Sequence, residues 1–159
     1  MSKEDLQILL NYAYFYLKFR PRTKKELRDY LYKKIEKRYL SRDVADQAIK
    51  ELEEKGLISD KAFVEWFVEQ RRTGKPKGKF VIKSELLRHG VSKDLIDTYL
   101  EEHPLQEEEL ALKVLQSRWH RFKELSKKER FEKAAAFLVR RGFPFDIIRK
   151  TIEKVEEMK

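Results

Sequence analysis

The sequence predicts an all-α fold: three tandem three-helix repeats in an elongated, curved array. Apolar residues recur with a helical period, and the five Gly and four Pro fall between these periodic segments rather than inside them. No strand-like alternation of any length interrupts the pattern. The same order of helices and turns recurs three times along 159 residues, which indicates stacked units that each contact mainly their neighbours.

The first repeat shows three helix boundaries. Its first helix is predicted from about Lys3 to Phe19, because Pro21 cannot continue it. The segment Thr23-Lys-Lys-Glu26 has the form of a capping box and opens the second helix, whose outer face is strongly basic. The third helix follows Ser41 and ends at Gly56.

The central helix begins the same cycle again after Ser59, which is a favourable N-cap residue. Phe63, Trp66 and Phe67 recur at i, i+3 and i+4, so three large rings lie on one stripe. A stripe of this kind predicts a buried core rather than a base-stacking surface. We therefore expect Trp66→Ala to cost about 3–5 kcal/mol of stability.

The repeat is visible in the spacing of equivalent residues. Leu27, Ile82 and Ala134 occupy the same place in successive second helices and stand 55 and 52 residues apart. The longer first interval places an insertion near Glu36 to Leu40. The expected division is residues 1–56, 57–103 and 104–159.

Composition excludes several functional classes. The absence of Cys excludes disulfides, thiolate metal sites and thiol nucleophiles, and the three His show no i, i+4 pairing. There is no Walker loop, no Gly-rich dinucleotide turn and no Ser/His/Asp order. No apolar run approaches the roughly 20 residues that span a bilayer. We expect a cytoplasmic protein with no cofactor, no metal, no membrane contact and no enzymatic activity.

Positive charge is concentrated in three segments of the chain. Residues 18–38, 71–90 and 113–141 together sum to +20, although the whole chain carries only +9. The remainder therefore sums to −11. This segregation favours a partner surface over a uniformly solvated one, since clustered cations attract an acidic protein groove or a phosphate backbone.

Three signatures carry a resemblance to a known family. The central one comprises Gly56-Leu57, Asp60, Phe63, Trp66-Phe67-Val68 and Arg71. Gly78, Ile82 and Glu85-Leu86 follow it, and Phe137-Leu138, Arg140-Arg141-Gly142-Phe143 and Ile148 form the C-terminal one. In their order and in the threefold repeat, these segments resemble the RecX family of regulatory proteins, which modulate the RecA recombinase.

The resemblance implies an all-helical, elongated protein that lodges in the groove of the RecA filament on DNA. There it is expected to inhibit recombinase, ATPase and co-protease activities. The expected partners are the filament and single- or double-stranded DNA, and the chain is expected to be a monomer.

The basic segments supply the candidate contact residues. The first group is Arg71, Arg72, Lys75, Lys77, Lys79, Lys83 and Arg88. The second is Lys127, Lys128, Arg140 and Arg141, and the third is Arg20, Arg22, Lys24, Lys25 and Arg28. We expect this segment to contribute little to the core, so that reversing Arg71, Arg72, Lys75 and Lys79 to Glu leaves folding nearly unchanged.

Two alternatives to a filament inhibitor remain. One is a helical DNA-binding protein that acts on the phosphate backbone, because its basic second helices offer mostly Lys rather than base-reading Asn, Gln or Arg. The other is a helical scaffold that binds a different acidic protein.

An elongated array makes a prediction for solution scattering. If the repeats stack in an open curve, small-angle scattering should give a radius of gyration clearly above the roughly 15 Å expected for a compact chain of this length. A value near that figure would reject the open array.

Overall fold

The computed structural model describes residues 2–158 of the chain, and within them the secondary structure is entirely helical. The all-α prediction is therefore confirmed for this part. The helices are α1 (Lys3–Leu17), α2 (Lys24–Arg38), α3 (Arg42–Glu54), α4 (Asp60–Thr73), α5 (Lys79–Arg88), α6 (Lys93–Glu102), α7 (Glu107–Arg118), α8 (Lys127–Arg140) and α9 (Phe145–Glu157), with a 3-10 turn at Trp119–Arg121.

The predicted helix starts coincide with side-chain caps. The Thr23 hydroxyl accepts a hydrogen bond from the Glu26 amide at 3.1 Å, and the Glu26 carboxylate accepts one from the Thr23 amide, which completes the capping box. Ser59 and Ser126 cap α4 and α8 through one bond each, which the hydroxyl accepts from the Ala62 and Glu129 amides. Two helix ends differ from the prediction, since α1 stops at Leu17 rather than Phe19 and α3 stops at Glu54 rather than Gly56.

The Cα packing divides the chain into two compact units. The first unit contains the residues up to Trp66 together with Leu86–Leu95, and the second contains Phe67–Glu85 together with the residues from Ile96 onward. The chain therefore passes from one unit to the other within α4, α5 and α6. The boundaries at 56/57 and 103/104 stay a prediction.

The first unit has a core built from three helices. Leu9, Leu27, Leu31 and Leu52 are fully buried in it. The start of α2 is held by a side-chain hydrogen bond, because the buried Thr23 hydroxyl donates to the His89 carbonyl at 2.6 Å.

The second unit has a separate core between α7, α8 and α9. Leu115, Leu138 and Ile148 are fully buried there, and Phe137 and Phe143 pack with them. This packing fixes the turn between α8 and α9, whose backbone carries the candidate site described below.

The aromatic stripe of α4 is buried unevenly. Phe63 and Phe67 are 1% and 3% exposed, as expected, but Trp66 is only partly buried. The Phe63 ring contacts the rings of Trp66 and His89, with centroids 5.7 and 5.4 Å away. The core role predicted for the stripe is thus strongest at Phe63, and removing Trp66 is expected to cost less stability than removing Phe63.

The two aromatic positions should respond differently to truncation. Phe63→Ala should destabilise the protein by about 3–5 kcal/mol because it empties a fully buried site. Trp66→Ala should cost less because part of its ring already contacts water. Urea unfolding of both variants measures the difference, and an equal or larger loss for Trp66→Ala would contradict this packing.

Candidate functional site

The loop before α5 is joined to the turn after α8 by two backbone hydrogen bonds. The Gly78 amide donates to the Arg141 carbonyl at 2.7 Å, and the Phe80 amide donates to the Gly142 carbonyl at 3.1 Å. Two of the sequence signatures, far apart along the chain, are therefore in direct contact within the second unit. We call this contact the Gly78–Gly142 joint.

Both glycines are required by the close approach of the two backbones. A Cβ at Gly78 would overlap the Gly142 carbonyl, and a Cβ at Gly142 would lie 2.5 Å from the Val81 amide nitrogen. Gly142 also has a φ of +91°, which L-residues with a side chain rarely adopt. Any side chain at either position would push the two segments apart.

The joint places cations from two separate basic segments side by side. Lys77 lies next to it on one side and Arg141 on the other. Burial lowers the pKa of Lys77, and repulsion from Arg141, Arg71 and Lys75 lowers it further, although Glu85 opposes this. The first and second candidate groups thus meet at Lys77 and Arg141.

A cavity beside Arg141 collects further cations. It has a volume of about 300 Å³ and lies between α7, the 3-10 turn and α8. Its walls are formed by Arg118, Arg121, Phe122, Lys133, Ala136, Phe137 and Arg140. We call it the α8 pocket.

The guanidinium groups of Arg141, Arg118 and Arg140 lie close enough to repel one another. Burial lowers the pKa of Arg141, and repulsion from Arg118 and Arg140 adds to this effect.

The cations of the pocket and the joint form no ion pairs within residues 2–158, although Glu85 acts on Lys77 from a greater distance. No described carboxylate forms an ion pair with Lys75, Lys77 or any Lys or Arg of the α8 pocket, and the same is true of Arg141. We call this set the cationic surface of the second unit, and we include in it the weakly paired Arg72, which belongs to the same basic segment as Lys75 and Lys77. Clustered charges without counter-charges produce a strong local potential.

Other members of the first group are engaged within the protein. Arg71 Nε lies 2.9 Å from Glu85 Oε2, and its guanidinium covers the Phe67 ring at 4.5 Å. Lys83 pairs with Asp97 at 2.7 Å. Arg72 is only loosely paired, since it lies 3.9 Å from Glu69. The expectation that reversing Arg71 leaves folding unchanged is therefore wrong, because Arg71 neutralises a largely buried carboxylate.

Lys79 is positioned by its backbone rather than by its side chain. It is the first residue of α5, and its amide donates to Glu107 Oε2 at 3.1 Å. Burial raises the pKa of Glu107, although the hydrogen bond from Lys79 and its charge oppose this. The ammonium group of Lys79 lies 5.5 Å from the centre of the Phe80 ring and is exposed.

Two of the sequence-predicted residues, Lys127 and Lys128, lie away from the cationic surface, and a third belongs to the other unit. Lys127 and Lys128 begin α8 and are about 18 Å along its axis from Arg140, given a rise of about 1.5 Å per residue. Lys127 borders a different cavity that is lined by Glu153, Glu156 and Glu157. Arg88 belongs to the first unit.

The third candidate group is largely paired. Arg20 binds the Glu26 carboxylate, Lys24 lies 3.2 Å from Glu53, and Lys25 lies 3.0 Å from Asp29. Arg22 covers the Tyr16 ring at 3.8 Å. Burial raises the pKa of Glu26, but hydrogen bonds from Arg20 and Thr23, together with the charges of Arg20 and His89, bring the net shift below the ordinary value. This group serves the fold of the first unit.

Three cations of the α8 pocket, Arg118, Arg121 and Lys133, were not among the predicted contact residues. Their signal in the sequence is periodic: Lys133, Phe137 and Arg140 follow at i, i+4 and i+7 on α8, and Arg118 and Arg121 are three residues apart. The sequence does not show that the α8 residues face Arg118 and Arg121, because this depends on the tertiary contact between α7 and α8.

Two exclusions hold for the described residues. Within residues 2–158 no helix combines the length and apolar character needed to cross a membrane. The same part of the chain contains no group of three or more His, Cys, Asp or Glu side chains placed to hold a metal ion.

Family models match all three repeats. The model for the first three-helix domain of RecX matches residues 10–52, the second-domain model matches residues 59–100, and the third-domain model matches residues 106–152. Tandem three-helix domains, predicted from the repeat spacing, are thereby confirmed.

Individual relatives agree with the family models. The chain is 32% identical over 124 residues to "Regulatory protein RecX" of Chlorobium phaeobacteroides, with 77% of this chain and 79% of the relative covered. It is also 32% identical to the protein of the same name from Streptococcus uberis, covering 87% of this chain but only 52% of that relative. The chain thus spans about half the length of the streptococcal protein.

A solved structure shows the same fold. The crystal structure of RecX from Lactobacillus salivarius superimposes with a TM-score of 0.84 at 26% sequence identity, covering 98% of this chain and 99% of that one. With all three domain models and these relatives in agreement, the chain belongs to the RecX family of regulatory proteins.

Proposed function

We propose that the protein binds the RecA recombinase filament on DNA and inhibits its recombinase, ATPase and co-protease activities through the cationic surface of the second unit. Membership of the RecX family supports RecA as the partner, because the family resemblance of the sequence implies this partner. The observation that carries the proposal is the set of unpaired cations around the Gly78–Gly142 joint. The protein acts by binding and not by catalysis.

The cationic surface opposes folding, which favours a role in binding. Lys77 and Arg141 lie among like charges, and the pKa of each is held below its ordinary value by burial first and by repulsion second. Such repulsion destabilises the folded state of the free protein. A surface that binds a strongly anionic partner gains back this free energy on binding, and natural proteins commonly retain destabilising features at functional sites.

We derive the mechanism of inhibition from two properties: the protein occupies the groove of the filament, and its surface is positively charged. A recombinase filament on DNA presents a repeating groove with phosphate charge inside it, and a cationic protein is drawn to such a groove at a raised association rate. A chain seated in the groove excludes the second DNA molecule and hinders movement of the filament subunits. Inhibition then requires no chemical step.

The second candidate is a helical DNA-binding protein that acts on the phosphate backbone. The basic second helices α2, α5 and α8 favour it, because most of their cations are Lys, which suits phosphates rather than base edges. Mixing the protein with DNA, with RecA, and with both separates the two candidates, since only a filament inhibitor needs the recombinase for its full effect.

Three further properties belong to this proposal. The protein acts as a monomer in the cytoplasm, where RecA filaments form. Residues 1–56, 57–103 and 104–159 are its three repeats. Lys79, Arg88, Lys127 and Lys128 contribute secondary contacts at the edges of the groove.

Charge reversal on the cationic surface should abolish inhibition without unfolding the protein. The triple variant Arg72→Glu, Lys75→Glu, Arg140→Glu changes exposed side chains that form at most one loose ion pair. Because attraction is replaced by repulsion, the concentration needed for half-inhibition of RecA ATPase on single-stranded DNA should rise at least about tenfold.

The matched control reverses three exposed cations of the first unit: Lys50→Glu, Lys61→Glu, Lys93→Glu. It has the same net charge as the test variant and should inhibit like the parent. Equal inhibition by the test variant and the parent, at two salt concentrations, would remove the cationic surface from the mechanism.

Neutralising Lys77 should stabilise the protein and weaken its function. Near pH 7 Lys77 is charged in both the folded and unfolded states, and its charge costs folding free energy because its folded pKa is lowered. Lys77→Gln should therefore raise stability by less than about 1 kcal/mol, or about 2–4 °C in melting temperature. The gain should shrink as pH rises through the lowered folded pKa, because the parent then loses its proton in the folded state first.

Thermal melts of Lys77→Gln at pH 7 and near pH 10 measure this effect. Lys61→Gln, an exposed change on α4, serves as the control and should show no gain. A loss of stability in Lys77→Gln at pH 7 would show that Lys77 is not repelled by its neighbours.

A further inference from the structure

The α8 pocket combines four cations with two aromatic rings. Arg118, Arg121, Lys133 and Arg140 surround it, and Phe122 and Phe137 form its apolar part. None of these cations forms an ion pair with a carboxylate of residues 2–158. The pocket is thus a concave site with positive charge and no internal counter-charge.

The two rings of the pocket have different surroundings. The guanidinium groups of Arg118 and Arg141 lie over the Phe137 ring, at 5.2 and 5.0 Å from its centre, and Phe137 is only 6% exposed. Cation–π contacts hold these guanidinium groups in place. The Phe122 ring is only partly buried, and its centre is 6.4 Å from that of Phe137. Phe122 also contacts Trp119 edge-on at 6.4 Å, but it is the more exposed of the two pocket rings and therefore the one that a ligand can reach.

This chemistry selects a phosphate next to a flat ring. Guanidinium groups form paired hydrogen bonds with phosphate oxygens, and aromatic side chains stack on nucleic-acid bases. A volume of about 300 Å³ accommodates one nucleotide, whereas a duplex keeps its base faces covered by stacking. An acidic peptide would satisfy the cations but would offer no planar group to Phe122.

We propose that the α8 pocket is a subsite for one nucleotide of a single-stranded nucleic acid. Arg118, Arg121 and Arg140 hold its phosphate, Lys133 adds charge at the rim, and its base stacks on Phe122. The inference deepens the proposed function, on which it rests for the presence of DNA at the target. It assigns the direct nucleic-acid contact to this pocket rather than to the Gly78–Gly142 joint.

The test measures binding of the full chain to a fluorescently labelled oligothymidylate of about ten nucleotides, without recombinase, by anisotropy over a range of salt concentrations. Phe122→Leu should lower the affinity about 5- to 100-fold, the range expected for removal of one base stack, and leave the salt dependence unchanged. The double variant Arg121→Gln, Arg140→Gln should reduce the slope of log affinity against log salt by about 0.7 for each phosphate that the protein no longer neutralises.

Two controls accompany these variants. The double variant Lys50→Gln, Lys61→Gln removes the same charge from the first unit and should bind like the parent. Circular dichroism and melting of each variant establish folding, and the Arg121 and Arg140 changes alter only exposed side chains, so the test does not depend on Phe122→Leu being stable.

Several outcomes would overturn the inference. One is that both pocket variants keep the parent's affinity and salt slope, and another is that the Lys50/Lys61 control loses as much affinity as they do. A third is that duplex binds more tightly than single strand. A fourth is that an octaglutamate peptide displaces the oligonucleotide at a lower concentration than unlabelled oligothymidylate does. Failure here is distinguishable from failure of the proposed function: if the pocket variants bind oligothymidylate like the parent but RecA inhibition still requires Arg72 and Lys75, only the subsite is rejected.

Discussion

The close backbone contact between Gly78 and Gly142 is the constraint on which the candidate site depends. It brings the basic loop before α5 against the turn after α8, so that Lys77 and Arg141, 64 positions apart in the chain, repel one another. A related contact occurs in the first unit, where the Thr23 side chain at the start of α2 binds the carbonyl of His89, next to Gly90 in the turn after α5. In each unit the start of one repeat's second helix meets the turn after the next repeat's second helix. This recurrence is the structural counterpart of the intervals of 55 and 52 residues in the sequence.

The two related contacts carry opposite electrostatic environments. In the first unit the cations near α2 are matched with acids: Arg20 with Glu26, Lys24 with Glu53 and Lys25 with Asp29. Around the Gly78–Gly142 joint and the α8 pocket, comparable cations lack such partners among the described residues. Exposed ion pairs contribute little to stability. The difference in ion pairing between the two units therefore matters mainly for what each surface can bind. A paired surface has a weak field, whereas an unpaired one attracts anions.

This division also explains why the basic segments are not equivalent. Arg71 and Lys83 lie in a strongly basic stretch of the chain, yet each neutralises a carboxylate of the second unit. Arg118 and Lys133 lie in a less conspicuous stretch, yet both line an unpaired cavity. Local charge density therefore indicates where cations are abundant, but the placement of Glu and Asp side chains decides which cations are available to a partner.

The sequence by itself determined the helices, their caps and the repeat, because these depend on residues within a few positions of one another: Thr23 with Glu26, Ser126 with Glu129, and apolar residues at helical spacing. It also identified Arg140 and Arg141 through a signature whose resemblance implied the family. Only the tertiary structure decided that Trp66 is partly exposed, that Arg71 supports the fold, and that Arg118, Arg121 and Lys133 share a cavity with Arg140. Each of these depends on contacts between separate helices, and helical periodicity defines the face of one helix without specifying which neighbour covers it.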